Sequence, residues 1–104
     1  MNRLAFKMHL NKGQKDAYIK RHDEIWPELK KMLKDAGISE YSIFLDEETN
    51  TLFAFQKLSS EGGSQHLGQT EIVQKWWKFM SDIMQTNPDN SPVSVPLEEV
   101  FYLD

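Results

Sequence analysis

The chain has 104 residues, 39% of them hydrophobic and 27% charged, a composition that predicts one globular domain over residues 1–104. The net charge is −4, and the lysines and arginines form no stripe, which argues against nucleic acid or a membrane surface as a partner. Cysteine is absent, which excludes disulfides and thiolate sites, and no apolar run is long enough for a signal peptide or a membrane span; we therefore expect a cytoplasmic protein.

The first predicted elements are a strand and a helix that breaks at a proline. Apolar and polar residues alternate from Leu4 to Leu10, which indicates a half-buried strand. Helical composition follows from about Gln14 to His22, and a second helical piece begins at Pro27. Because Pro27 lacks an amide hydrogen and biases the preceding residue away from helical angles, we expect the break at Trp26. Gly37 is the predicted stop of the second piece.

The end of the first helical piece combines a phenol with an imidazole. Tyr18 and His22 are four residues apart, so a helix places them on the same face. Near a helix C-terminus, unpaired carbonyls and the helix dipole favour the protonated ring. A histidine with an ordinary pKa of about 6.5 can then donate a proton near neutral pH, or it can simply cap the helix at the surface. This stretch alone leaves both interpretations open.

The middle of the chain predicts a hairpin with apolar residues on both faces. The first strand runs from Ser39 to Leu45 and the second from Thr51 to Leu58, joined by a polar turn. In the first strand of the hairpin, Tyr41, Ile43 and Leu45 share one face and Phe44 is on the other. In the second strand, Phe53 is on the face opposite Leu52 and Leu58.

The last third of the chain predicts a loop, a helix and a strand. Residues 59–64 are rich in helix breakers and should form a loop or a poorly formed helical turn. Helical periodicity returns from Thr70 to Met84, residues 86–92 should be irregular, and Val95 to Leu103 is the predicted final strand.

The order of these elements predicts an α+β fold. Strand, helix, strand, strand, helix, strand (βαββαβ) is the ferredoxin-like pattern, with a four-stranded antiparallel sheet and helices on one face. Since the hairpin is apolar on both faces, the uncovered face should meet a second copy of the chain. We therefore expect a homodimer that encloses a barrel-like core, a dimeric α+β barrel.

Aromatic residues, rather than metal ligands or nucleophile motifs, dominate the candidate site. His9, His22 and His66 show no metal-binding spacing, and the glycines match no phosphate-binding loop, so no metal is expected. Trp76 and Trp77 are about 100° apart on a helix, so one can join the core while the other lines a pocket or an interface. Sugars stack on such rings and hydrogen-bond to polar groups, a need that five side chains meet: Tyr18, His22, Tyr41, Trp76 and Trp77. The alternative is that these aromatics only form the core and dimer contacts.

Taken together, these segments resemble the L-rhamnose mutarotase family over nearly the whole chain. The resemblance is carried by Tyr18 with Arg21-His22, Ile25-Trp26-Pro27-Glu28-Leu29, Tyr41 with Leu45-Asp46, Gln74-Lys75-Trp76-Trp77-Lys78, Asn87-Pro88-Asp89-Asn90-Ser91-Pro92 and Glu99-Val100-Phe101-Tyr102-Leu103. Two departures stand out: Phe79 replaces an expected tyrosine, and the sequence from Ser60 to Gly68 is unlike the family's continuous helix.

This resemblance implies an isomerase of carbohydrate metabolism that interconverts the α and β anomers of L-rhamnose without any cofactor. It implies His22 as the proton donor, and Tyr18, Tyr41, Trp76 and Trp77 as the side chains that bind the sugar. The general base stays open among a tyrosine, a carboxylate such as Asp89, and water.

Two other functions compete with this one. Dimeric α+β barrels also include oxygenases that act on aromatic or haem-like substrates, and the fold alone does not separate the two chemistries. A non-catalytic sugar-binding module would use the same aromatic residues without accelerating anomer exchange.

Overall fold

The computed structural model describes residues 2–59 and 67–104. Most of the predicted loop over residues 59–64, together with His66, lies outside the described residues. The elements in chain order are β1 (Asn2–His9), α1 (Lys15–Asp23), α2 (Pro27–Asp35), β2 (Ile38–Asp46), β3 (Thr51–Leu58), α3 (Glu71–Met80) and β4 (Ser94–Pro96). Across these two ranges, no helix has both the length and the apolar character needed to cross a membrane.

The four strands form one antiparallel sheet in the order β2-β3-β1-β4. Because β3 pairs antiparallel with both β1 and β2, those two strands run parallel to each other, and α1 and α2 form the crossover between them. The predicted α+β class and four-stranded antiparallel sheet are confirmed, with three helices.

One face of the sheet packs against the helices and forms the core. Phe6, Met8 and Leu10 are all buried, as the alternation in the first strand predicts. The opposite face is uncovered in the single chain: Phe44 is 67% exposed and Phe53, its partner in the ladder, is 39% exposed. The hairpin is therefore apolar on both faces, as the sequence indicates.

The break between the first two helices is where the proline predicts it. The last residue of α1 is Asp23, Trp26 has extended angles (φ −60°, ψ 130°), and Pro27 begins α2. At the other end of α2, Gly37 has a φ of +87°, which side chains other than glycine rarely adopt. A Cβ atom there would lie 2.0 Å from the Ser59 hydroxyl oxygen, so a larger residue at this position would also require the Ser59 side chain to move.

A β-bulge near the start of β2 sets which side chains face the helices. Ser39 pairs with Lys57 and Ser42 with Phe55, so β2 carries one residue more than β3 between these pairs. Within this bulge Glu40 has a left-handed conformation, with a φ of +47°. Because side chains alternate along a strand, the bulge lets the residues on both of its sides, Ile38 before it and Tyr41 after it, face the helices.

Two predicted boundaries are wrong. The third helix ends at Met80 rather than Met84, because the Ser81 hydroxyl bonds to the Lys78 carbonyl and Ile83 closes a tight turn onto Met80. Ile83 and Met84 remain buried through that turn, so helical periodicity continues past the helix. The final strand ends at Pro96 rather than Leu103, since the apolar residues beyond it do not alternate.

Candidate functional site

The predicted site residues meet in one cavity between the helices and the start of β2. The cavity has a volume of about 560 Å³. Its walls include all five side chains singled out in the sequence: Tyr18 and His22 from α1, Tyr41 from β2, and Trp76 and Trp77 from α3. The sheet topology brings them together from positions up to 59 residues apart in the chain, since α1 and α3 cover the same sheet face.

His22 is held by two aromatic rings and one backbone carbonyl. Its ring stacks on Tyr18, with centroids 4.3 Å apart, and meets Trp76 edge-on at 5.4 Å. Its Nδ1 atom lies 3.1 Å from the Tyr18 carbonyl oxygen. A carbonyl oxygen only accepts hydrogen bonds, so Nδ1 carries a hydrogen and donates it. The neutral ring therefore has its unprotonated nitrogen at Nε2.

The protonation of the site differs from what a helix end alone implies. Burial lowers the pKa of His22 below its ordinary value, and this effect exceeds the opposing effects of the Tyr18 carbonyl and the Asp23 carboxylate. The ring is therefore neutral near pH 7, rather than protonated by the helix dipole. Burial also raises the pKa of Tyr18, with a smaller contribution from Tyr41 nearby, so Tyr18 stays a neutral phenol.

The two adjacent tryptophans have different environments but line the same cavity. Trp76 is buried, and it packs edge-on against Trp26 at 5.1 Å and beside Phe79 at 5.6 Å. Trp77 is partly buried and lies against Gly68, where a Cβ atom would come within 2.7 Å of the indole Cη2. Trp76 thus belongs to both the core and the cavity wall, and Trp77 forms a more open part of the wall.

Two further residues support the site from outside the set of five. Trp26, which the proline marks only as a helix break, supports the indole of Trp76. Arg21 bonds to Asp82 and to the Phe79 carbonyl at the end of α3. The sequence signals Arg21 only by its position directly before His22, in a charged run and in a segment that carries the family resemblance.

Asp89, one candidate for the general base, is not among the residues that line the cavity. Its carboxylate accepts hydrogen bonds from the Ser91 amide at 3.0 Å and the Ser91 hydroxyl at 2.5 Å, which hold the pKa of Asp89 below its ordinary value. Its neighbour Asn90 lies in the wall instead. In residues 2–59 and 67–104, no three histidine or acidic side chains converge as metal ligands would.

Comparisons with known proteins match this chain over its full length. The family model described as L-rhamnose mutarotase matches residues 3–103. L-rhamnose mutarotases from Formosa agariphila and Bacteroides thetaiotaomicron are 75% and 64% identical to the chain, with 100% of both sequences covered in each case. A crystal structure of an L-rhamnose mutarotase from Formosa agariphila has a TM-score of 0.91 and 69% identity, and each chain is covered to 100%. The chain belongs to the L-rhamnose mutarotase family.

Proposed function

We propose that this chain interconverts the α and β anomers of L-rhamnose, with His22 moving the proton. The observation that carries the proposal is the position of the His22 imidazole, which lies between Tyr18 and Trp76 in the wall of an aromatic cavity. The volume of about 560 Å³ is within the usual range for small-ligand sites. Tyr41 and Trp77 supply further flat surfaces for the C–H faces of a sugar ring.

Mutarotation needs one proton removed and one delivered. The anomeric hydroxyl loses its proton, its oxygen becomes a carbonyl, the bond from C1 to the ring oxygen breaks, and the ring oxygen takes up a proton. Rotation about the C1–C2 bond followed by the reverse steps closes the other anomer. No net proton is consumed, so a single group can carry the proton both ways.

His22 suits this exchange because its resting ring is neutral. Nε2 accepts the proton of the anomeric hydroxyl while Nδ1 keeps its hydrogen bond to the Tyr18 carbonyl. The resulting imidazolium then donates the proton to the ring oxygen, which is bonded to the same carbon. His22 is therefore the proton donor to the ring oxygen only after it has acted as the acceptor.

The other candidates for the base have weaker support. Tyr18 is held neutral by its raised pKa, so it acts as a hydrogen-bond donor to a sugar oxygen rather than as a base. Asp89 is outside the cavity wall. Water remains as a relay between His22 and the substrate.

Saturation-exchange NMR of L-rhamnose anomers tests the proposal. The wild-type protein should exchange the anomers faster than buffer does. His22→Ala should lose about 100-fold or more of that enhancement, the usual contribution of a general acid or base. His9→Ala, which changes a histidine outside the cavity wall, is the matched control and should keep wild-type exchange.

Two outcomes contradict the assignment. Near wild-type exchange by His22→Ala removes His22 from the reaction. Binding of L-rhamnose by the wild type with exchange at the buffer rate makes the protein a sugar-binding module instead.

We also infer that the chain acts as a homodimer, a dimeric α+β barrel, with the uncovered sheet face against a second copy. Phe44 and Phe53 lie next to each other on that face, and Val95 adds to it. The segment after β4 presents Val100 and Phe101, 88% and 78% exposed. Exposed large apolar side chains of this kind are typical of an interface, and two copies of one face complement each other by symmetry.

A further inference from the structure

Arg21 makes a set of contacts that joins the end of α1 to the end of α3. Its guanidinium donates to both carboxylate oxygens of Asp82, at 2.8 and 3.1 Å, and to the carbonyl oxygen of Phe79 at 2.7 Å. The same group lies over the Phe79 ring, 4.5 Å from its centroid. One side chain of α1 thus holds a carboxylate, a backbone carbonyl and an aromatic face at the other helix.

Each of these contacts has a reason in the structure of a helix end. Phe79 is in the last turn of α3, where carbonyls have no partner within the helix. Arg21 supplies that partner, and its positive charge lies at the negative end of the helix dipole. Because a guanidinium is planar and presents several fixed donors, it can satisfy a carboxylate and a carbonyl in a single orientation, which a lysine cannot do.

The two helices joined in this way carry the two halves of the site. Tyr18 and His22 are on α1, whereas Trp76 and Trp77 are on α3. The Phe79 ring beneath Arg21 is itself 5.6 Å from Trp76, the residue whose edge meets His22. A continuous line of contacts therefore runs from Arg21 through Phe79 and Trp76 to the His22 ring.

The burial of Arg21 separates this contact from an ordinary surface ion pair. The Arg21 side chain is 20% exposed and that of Asp82 is 66% exposed, while in the helix pair Lys31–Asp35 the two side chains are 78% and 64% exposed, so the difference lies in the arginine. Pairs as exposed as the latter hold neither partner in one place. Arg21 does not line the cavity, so its influence on the reaction has to pass through the groups it holds.

We propose that Arg21 is a positioning residue that fixes His22 against Trp76 by holding the end of α1 to the end of α3. The inference rests on the proposed mutarotase function and goes beyond it by assigning a role to a residue outside the cavity. A shift of about 1 Å at a reacting group can lower a rate by about 100-fold, so a small displacement of α1 matters to His22.

Three variants, each of which keeps a different part of the Arg21 contacts, test the proposal. Arg21→Met removes the charge and the donors, Arg21→Lys keeps the charge, and Asp82→Asn keeps the Phe79 contacts. Lys20→Met is the matched control, since it removes an exposed positive charge from the neighbouring position of α1. For each variant, anomer exchange gives kcat and KM, NMR titration of the His22 ring gives its pKa, and thermal melting reports folding.

Arg21→Met should lower kcat by about 10- to 100-fold with little change in KM, because Tyr41 and Trp77 still bind the sugar. Its His22 pKa should rise toward the ordinary value as the ring becomes hydrated. Arg21→Lys and Asp82→Asn should fall between Arg21→Met and the wild type in both measurements, and Lys20→Met should match the wild type. A merely structural arginine would lower the melting temperature without moving the His22 pKa of the folded protein.

The outcomes separate the two proposals. If Arg21→Met, or Arg21→Lys should the former not fold, keeps both the wild-type kcat and the wild-type His22 titration, the positioning role is wrong. If the wild type itself fails to exchange anomers, the proposed function is wrong, while the His22 titration still decides whether Arg21 holds the ring.

Discussion

At the scale of single residues, His22 is subject to two opposing influences. The end of α1 and the Asp23 carboxylate favour the charged ring, and burial against Tyr18 and Trp76 favours the neutral ring. Burial has the larger effect, so the ring is neutral at the start of the reaction. The proposed role of His22 as the initial proton acceptor requires such a neutral ring.

The pH dependence of exchange follows from this balance. Because burial lowers the pKa of His22, the neutral ring should persist above about pH 6.5, and kcat/KM should be level from there to about pH 8. Below that range kcat/KM should fall, with an inflection at a pH lower than the ordinary histidine pKa. The ionisable groups around the ring are Asp23, Tyr18 and Tyr41, and the cavity wall also includes Lys30, Lys34 and Glu40. Exchange that rises as the pH falls through 6 would contradict an initial acceptor role.

The two tryptophans should respond differently to truncation. Trp76→Ala should reduce the free energy of unfolding by about 3–5 kcal/mol, because it empties a buried site against Trp26 and Phe79. Trp77→Ala should lower the melting temperature less than Trp76→Ala does and should raise KM for L-rhamnose, since the Trp77 indole is only partly buried and forms the more open part of the wall. Thermal melts and NMR exchange rates measure both effects, and Trp77→Phe is the conservative control. An unchanged KM in both alanine variants is evidence against stacking.

At the scale of elements, the bulge in β2 decides whether Tyr41 reaches the site. Glu40 is the residue that adopts the left-handed conformation, and its carboxylate pairs with Lys57 of β3 at 2.8 Å. The pair is too exposed to account for the bulge by itself. Packing of Ile38 and Tyr41 on the same side of the sheet provides the reason, since it requires the extra residue.

Substitutions at Glu40 should show the cost of that conformation. Glu40→Val should have a free energy of unfolding about 1–3 kcal/mol lower than Glu40→Gly, because a β-branched residue avoids positive φ and glycine does not. Its KM for L-rhamnose should also rise, as the strand around Tyr41 adjusts. Ser42→Val, at an exposed position of the same strand that has no positive φ and lies outside the cavity wall, is the control. Equal stability of Glu40→Val and Glu40→Gly in chemical denaturation would show that the strained angle carries no cost.

At the scale of the whole molecule, the sheet face opposite the helices carries large apolar side chains that the single chain leaves exposed. The helices cover only the face that carries the core. Phe44 and Phe53 on the other face, together with the segment after β4, leave several large apolar side chains in water. Burying them against a second copy removes that exposure and leaves the cavity accessible, since the cavity is on the helical side of the sheet.

Phe44→Glu tests the proposed dimer. In the dimer, the variant would bury two unpaired carboxylates that face each other, so the protein should become a monomer. Light scattering coupled to size exclusion measures this change, and the far-UV circular dichroism spectrum should stay that of the wild type. Lys31→Glu, an exposed change on the helical side, is the control and should leave the dimer intact. A monomeric wild type, or a Phe44→Glu variant that remains dimeric, would count against this interface.

Local patterns in the chain predicted most of the fold because they act over a few residues. Alternation in β1, the proline after Trp26 and the glycine at the end of α2 all have the expected effect. The predicted end of α3 is wrong because Ile83 and Met84 are buried in a turn after the helix. Their burial continues the helical spacing of apolar residues although the helix itself has ended. The predicted length of β4 is wrong because the apolar residues near the C-terminus lie outside the sheet of the single chain.

The sequence by itself determined the family, the order of the elements and the identity of the five aromatic and imidazole side chains, since these depend on residue types and their spacing. Tertiary structure alone decided that the five share one cavity, that the resting His22 ring is neutral, and that Arg21 joins the two helices that carry four of them. The physical reason is the distance along the chain over which each effect acts. Helix and strand propensity and apolar periodicity depend on neighbouring residues, whereas desolvation and helix-to-helix contacts depend on residues about 60 positions away.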